Sequence, residues 1–223
     1  MMDRYERLLE LSTFSKEKLE LLQSKNVLVI GAGGVGQHIS AYLITNGVTR
    51  ITLVDFDKVE ISNLNRQILL TEEDIGKNKV DVVRETLFKK NKDARVSLIR
   101  KKVDESNAKE LVNGYDLVID SVDNWDARLV ISDACSELKV PFLSVGVDGY
   151  RGQYCLFVEK SLRDIVDDSV KSANRDGVLG PMVGLISSLA SLLAIKYLTN
   201  DNSETDTLFY FDSEKTHLGK MKL

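Results

Sequence analysis

Residues 26 to 36 read NVLVIGAGGVG, and residues 51 to 57 read ITLVDFD. The first five residues form the short, continuously apolar run expected of a parallel strand buried on both faces. Directly after them Gly31, Gly33 and Gly36 fit the spacing G-x-G-x-x-G, in the strand-to-helix context which that pattern needs. Glycines let the backbone turn tightly and bring its N–H groups against phosphates, and the following helix adds partial positive charge at its N-terminus. Asp55 stands 19 residues beyond Gly36 at the tip of the next apolar run, where a carboxylate accepts hydrogen bonds from a ribose hydroxyl pair. Loop and carboxylate together read as a nucleotide site rather than as a tight turn alone.

Further apolar runs lie at 117–120 and 141–146, with a weaker one at 96–99, and helix-like patterns fall between them at 34–45, 77–90, 105–112 and 124–138. Such alternation predicts an α/β fold, doubly wound and Rossmann-like, with a mainly parallel sheet covered by helices on both faces. Ahead of it, Leu8, Leu11, Leu19 and Leu22 recur among charges, which reads as N-terminal helices broken near Ser12 to Ser15. Behind it, 151–158 reads as a strand, 159–176 as a long polar surface loop, and 208–212 with 215–221 as a closing antiparallel pair. Gly180-Pro181 opens an apolar helix. Its 17 residues from 182 to 198 include Lys196 and three serines, short of the roughly 20 apolar residues a bilayer span requires. A core or dimer-interface helix is expected there, and no membrane partner.

The composition fits one soluble globular domain, with 223 residues, 43% of them hydrophobic and 29% charged. A net charge of -4 gives no reason to expect nucleic acid as partner. No basic segment followed by an apolar one opens the chain, so a cytoplasmic location is expected. Cys135 and Cys155 belong to no C-x-x-C pair, and His38 and His217 stand near no obvious nucleophile. A hydrolase triad is therefore not expected, and whatever chemistry occurs must rely on positioning and charge.

An NAD enzyme and an ATP enzyme look alike up to this point. The residues after Asp55 separate them: Asn63, Asn65, Arg66 and Gln67 form a polar and cationic cluster that dinucleotide binding does not require. A triphosphate does require one, because attack on its α-phosphorus builds charge on the leaving pyrophosphate, which fixed cations stabilise. Arg66 has the planar fork for bidentate phosphate contact, Asn63 suits a phosphate or ribose, and Lys79 follows near the start of the next helix. Each cation taken singly would be a solvated surface charge. Asp123 lies just past the fourth strand, where carboxyl strand ends line the ligand crevice, and suits Mg2+ bridging phosphate oxygens. The alternative is that Ser121 or Asp123 caps the helix beginning near Asn124.

These residues resemble the ThiF/MoeB/HesA group, bacterial relatives of the ubiquitin-activating enzymes. The resemblance covers nearly the whole chain and rests on RYER at 4–7, GAGGVG at 31–36, DFD at 55–57, SNLNRQ at 62–67, DIGKNK at 74–79, DSVDN at 120–124 and GVLGPMVG at 177–184. It implies ATP-dependent adenylation of the C-terminal carboxylate of a small ubiquitin-like sulfur-carrier protein, with release of pyrophosphate. It implies Gly34 against the phosphates, Asp55 on the ribose, Asn63, Arg66 and Lys79 on the phosphates, and Asp123 serving Mg2+. Asp57 and Asn124, within the same motifs, join the expected cofactor-binding set with Gly31, Gly33 and Gly36. Arg7 is implied to reach the active site of a partner subunit, giving a homodimer. The single domain then divides into a helical segment (1–24), a nucleotide-binding part (25–146) and a carrier-binding and dimerisation part (147–223) that includes loop 160–176. A carboxylate is already ionised at pH 7, so the reaction needs alignment and charge screening more than a general base.

Two departures from the pattern matter. The family's zinc-binding C-x-x-C pairs are replaced here by CLFVEKSLRD at 155–164 and HLGKMKL at 217–223, and its relay cysteine by Ala173. Neither zinc nor a covalent thioester or persulfide step is expected. The same resemblance extends to enzymes that adenylate ribosomal peptides during antibiotic maturation, which IGKNKVDVVRETLFKKN at 75–91 also resembles. A non-catalytic nucleotide-binding scaffold and an NAD-dependent oxidoreductase are the alternatives of another class.

Overall fold

The computed structural model describes residues 4–166 and 177–223. Its sheet has eight strands in the order β3-β2-β1-β4-β5-β6-β7-β8. β1 (Asn26–Ile30), β2 (Arg50–Val54), β3 (Arg95–Ile99), β4 (Leu117–Asp120) and β5 (Phe142–Asp148) run parallel. β6 (Arg151–Phe157), β7 (Thr207–Asp212) and β8 (His217–Lys222) continue the sheet antiparallel. The mainly parallel sheet with a C-terminal antiparallel extension is thus the one that the alternation predicts. Strand order reverses beside β1, between its neighbours β2 and β4, and such a switch point opens a crevice at the carboxyl ends of the strands.

Both faces of the central strands are buried, which is why their sequences run apolar without alternating. Val27 and Val29 of β1 face one core, and Leu28 and Ile30 face the other. The first core takes in α3 (Gly34–Thr45), α4 (Lys79–Lys90) and α7 (Gly180–Leu198); the second takes in α5 (Ala108–Val112) and α6 (Trp125–Leu138). The expected N-terminal helices are α1 (Glu6–Leu9) and α2 (Lys16–Ser24), the latter capped by Ser15, whose Oγ accepts from Lys18 N.

α7 is long and apolar enough to cross a membrane by composition, yet it lies against α3, β5 and β6. Met182, Ile186, Ala190, Leu193, Ala194 and Leu198 enter the first core. Gly152 of β6 gives it room, because a Cβ there would collide with Ile186.

Three boundaries differ from the sequence reading for local reasons. α4 starts at Lys79 rather than 77, because Val59 N donates to Lys77 O and Gly76 N to Val59 O, holding 76–78 against the tail of β2. α5 starts at Ala108 because the Asp104 carboxylate takes Ser106 N and Oγ in a turn. β5 runs to Asp148, since a two-residue hairpin at Gly149 and Tyr150, with Gly149 at φ +53°, carries it directly into β6. Of loop 160–176, the described part holds a short turn at Leu162–Asp164. Residues 167–176, with the Ala173 position, lie outside the described residues.

Candidate active site

The glycine loop leaves β1 with Gly31 at φ +97°, a region that only glycine enters without strain. Gly31 N donates to Val54 O, so the turn is sewn to β2. A Cβ on Gly36 would overlap the Gly31 carbonyl oxygen, and one on Gly31 would stand 2.8 Å from Ser121 Oγ. α3 thus meets β1 and the β4 tail with no space for a side chain. Gly33 is the N-cap of α3 and has no side-chain bond to offer. The N–H groups of the first turn, from Gly34 onward, have no earlier turn of helix to bond. They are the donors a phosphate would take.

Asp55 braces this loop. Its Oδ2 accepts Ala32 N at 2.7 Å and its Oδ1 accepts Asp57 N at 2.8 Å. Its sequence role as ribose acceptor is therefore joined by a structural one. Lys79 reaches the same place from the start of α4, with its side chain only 6% exposed. Its Nζ lies 3.1 Å from Asp57 Oδ2 and 3.9 Å from Asp55 Oδ2. Both expected cofactor-binding carboxylates thus hold the lysine expected on the phosphates. Lys79 N also donates to Asp57 O, which pins the helix start.

Arg66 comes from the loop after β2, and its stem lies on the glycine loop. A Cβ on Gly34 would stand 3.3 Å from Arg66 Cγ and 3.0 Å from Val183 Cγ1. Arg66 Nη1 donates to Ser62 O and Asn65 Oδ1, both at 2.9 Å. The rest of the guanidinium fork is left for a bidentate acceptor. Asn63 is buried and turned inward, its Oδ1 accepting Glu60 N at 3.2 Å in a reciprocal cap. It shapes the loop that presents Arg66.

On the other flank, Asp123 and Asn124 are exposed just beyond the end of β4. The helix cap is Asn124, whose Oδ1 accepts Ala127 N at 2.9 Å. Neither Ser121 nor Asp123 plays that role. Ser121 Oγ instead donates to Ile30 O at 3.0 Å and Gly31 O at 2.6 Å, locking the β4 tail to the glycine loop.

Arg7 is not brought to this crevice. It sits on α1, 89% exposed, paired with Glu10 at 2.8 Å. α1 is tied to the far end of α4, where Arg4 Nη1 donates to Lys90 O at 2.6 Å and Asn91 Nδ2 to Tyr5 Oη at 3.3 Å.

Several residues that sequence reasoning passed over hold the site together. Gln37 is fully buried, with Nε2 donating to Ala32 O and Gln67 Oε1 and with Oε1 accepting Leu69 N. It couples the glycine loop to the Arg66 segment. His38 Nδ1 donates to Gly34 O at 2.7 Å. Asp120 and Arg128 form a buried ion pair at 2.9 Å beneath the Asp123 segment. A polar residue on the inward face of α3, such as Gln37, was the available signal.

For Mg2+ the fit is that of a shared ligand. Among the described residues no three His, Cys, Asp or Glu side chains cluster as a metal cage. Mg2+ commonly keeps its waters and uses one or two carboxylates plus substrate phosphates, which the exposed Asp123 suits. Both cysteines are buried. Burial, reinforced by Asp206, pushes the Cys155 thiol up to about 12, and burial also raises Cys135. Neither is poised as a thiolate at neutral pH.

A doubly wound sheet with a glycine loop, an acidic strand tip and fixed cations gathered at its switch point defines a nucleotide-binding α/β protein. The model of the ThiF family matches residues 5–223, and the chain belongs to that family. It is 35% identical over 229 residues to the adenylyltransferase and sulfurtransferase MOCS3 of Culex quinquefasciatus, covering 99% of this chain and 52% of that protein. It is 31% identical over 228 residues to the molybdopterin-synthase adenylyltransferase of Salmonella typhimurium, covering 99% and 92%. The chain thus spans about half the length of some curated relatives and nearly all of others. Among solved structures, E. coli MccB with MccA-N7isoASN superposes with a TM-score of 0.90 at 24% identity, covering 100% of this chain and 72% of that one. E. coli MccB with ATP gives 0.88 at 23%, covering 99% and 71%. These two share the fold.

Proposed function

We propose that this protein is an ATP-dependent adenylyltransferase that activates the C-terminal carboxylate of a small ubiquitin-like sulfur-carrier protein as an acyl-adenylate, releasing pyrophosphate. The observation that carries the reading is the Arg66 stem lying against Gly34, with a guanidinium fork still open beside the loop. Dinucleotide binding has no general need for that cation. The α3 N-terminus and Arg66 would hold the triphosphate, and Asp55 the ribose. Lys79, drawn from Asp57, would meet the phosphate charge that grows on the leaving group. Asn63 would act by shaping the loop. Mg2+, held through Asp123, would supply charge neutralisation on the phosphate oxygens. The client carboxylate needs no deprotonation at neutral pH, so the chain's task is to align it in line with the α-phosphorus.

The relatives named as molybdopterin-synthase and sulfur-carrier adenylyltransferases support a carrier-protein client. The fold shared with MccB, solved with the peptide MccA, keeps a peptide C-terminus as the second reading. We further propose a homodimer in which Arg7 completes the partner's site, because α1 lies at the wrong end of its own α4 to serve the crevice of its own chain.

The test is ATP–pyrophosphate exchange with candidate carrier proteins and peptides, wild type against Arg66→Ala. The wild type should exchange with one client, and Arg66→Ala should lose about 100- to 1,000-fold, as for loss of one preorganised charge donor. ATP binding without exchange on any client would replace the enzyme with a scaffold. Binding of NAD in place of ATP would sink the adenylation reading altogether.

A further inference from the structure

One buried ion pair is assigned no role in that reaction. Asp120, the last residue of β4, is fully buried, and Arg128 on α6 is 7% exposed. Asp120 Oδ2 lies 2.9 Å from Arg128 Nε and also accepts Ser144 Oγ at 3.1 Å. Taking two such charges out of water costs several kcal/mol each, and an apolar pair of the same volume often serves stability as well. Stability is thus a weak reason for the pair.

What an apolar pair could not do is hold the backbone of Val122. Val122 N donates to Asp120 Oδ1 at 2.9 Å, and Val122 O accepts Arg128 Nη2 at 2.8 Å. Both backbone polar groups of the residue before Asp123 therefore end on this one ion pair. The same Nη2 donates to Val145 O at 2.9 Å, anchoring the arrangement to β5. β5 carries a glycine where the guanidinium crosses it, since a Cβ on Gly146 would stand 3.1 Å from Arg128 Nη1. On the outer side the Trp125 ring covers the guanidinium at 5.4 Å. One residue earlier, Ser121 is locked to the glycine loop through Gly31 O. The two residues leading into Asp123 are thus clamped between the phosphate loop and the ion pair.

We propose that the Asp120–Arg128 pair is the positioning element for Asp123: it fixes that carboxylate's place relative to the glycine loop and acts on the reaction only through it. The inference rests on the adenylation reading. Partners that orient a metal-binding or catalytic group from behind are commonly worth 10- to 100-fold in affinity or rate. The contacts proposed for ATP with the α3 N-terminus, Asp55 and Arg66 do not run through the pair. Its loss should therefore be felt in the reaction step and in the metal, and not in metal-free nucleotide binding.

The test is the variant Asp120→Asn/Arg128→Met, which removes both charges at nearly constant volume, measured beside Asp123→Ala and the combination of all three changes. Calorimetry with ATP alone should give wild-type affinity, while the gain in affinity brought by Mg2+ should fall about 10- to 100-fold. Exchange kinetics should show a fall of the same size in kcat/KM for Mg2+-ATP, with the KM for the client unchanged. Combined with Asp123→Ala, the pair variant should cause no further loss, because both act at one point. Losses that add, a rise in the client's KM alone, or a folded variant indistinguishable from wild type would overturn the inference. If the charge-free variant does not fold, Arg128→Lys, which keeps the charge but not the fork, must show the same Mg2+-specific loss. Should wild-type protein bind Mg2+-ATP yet exchange with no client, the adenylation reading fails by itself, while the calorimetric comparison still decides the role of the pair.

Discussion

Gly36 and Gly177 are both glycines inside family motifs, yet the structure asks different things of them. At Gly36 a Cβ would overlap the Gly31 carbonyl and approach Ser121 Oγ at 2.7 Å, whereas at Gly177 nothing among the described residues lies within 4 Å. Gly36→Ala must push α3 off the strand end, and it should lose at least about 2 kcal/mol, the scale of overpacking a tight contact. Gly177→Ala should stay within about 0.5 kcal/mol, as for a surface change that touches nothing. Chemical-denaturation midpoints compare the two directly, and equal effects would contradict this account of the loop. The spacing of the glycines was legible in the sequence because it repeats a local backbone requirement. The intramolecular partners of the polar side chains were not: Asn63 Oδ1 caps the Glu60 turn, and Lys79 rests on Asp57 and Asp55. A side chain's hydrogen-bonding capacity is visible in the sequence, but the nearest acceptor is a property of folded space.

Among the elements, α4 shows how a helix start is decided from outside. Asn78 and Arg100 converge on Asp81 in its first turn, with Asn78 Nδ2 donating at 3.1 Å and Arg100 Nε at 3.2 Å. The Arg100 guanidinium first, and Asn78 with it, hold the Asp81 carboxyl below the usual carboxylate range. A carboxyl depressed in the folded state adds stability above its unfolded value, near 3.9, and that stability is lost as pH falls through the folded value. Asp81→Asn should therefore be slightly less stable than wild type at pH 7, with a small effect because Arg100 is half exposed. The two unfolding curves should converge as pH falls through the depressed folded-state value of Asp81. A gap that persists in acid would show that charge is not the cause. Helix and strand periods made all these elements readable, while their ends moved where a neighbouring loop took the terminal N–H, as Val59 and Asp57 do at α4.

The whole molecule places Arg7 and the glycine loop at opposite ends of α4. Twelve helical residues span about 18 Å, and α1 is fastened to Lys90 and Asn91 at the far end. In the proposed dimer the arginine serves the other protomer's crevice. Mixing equal amounts of Arg7→Ala and Asp123→Ala subunits, each inactive by itself, should restore about a quarter of wild-type exchange. Random pairing makes half the dimers mixed, and one of the two sites in each mixed dimer is then intact. Recovery no greater than the sum of the separate variants would contradict sharing in trans. A dimer would also give cover to the exposed Leu185 and Leu192 on α7.

By itself the sequence determined the alternation of strands and helices, the glycine loop with its distal carboxylate, and the cations that distinguish a triphosphate from a dinucleotide. These are patterns of local period and spacing, and they survive without knowledge of what packs against them. Only the tertiary structure decided that Gln37 and Gln67 couple the loop to Arg66, that Asn124 rather than Asp123 caps α6, and that Asp120 and Arg128 close over Val122. The Gln37–Gln67 bond joins residues 30 apart and the Asp120–Ser144 bond residues 24 apart, and a buried polar group finds such a partner only once the sheet has brought β1, β4 and β5 side by side.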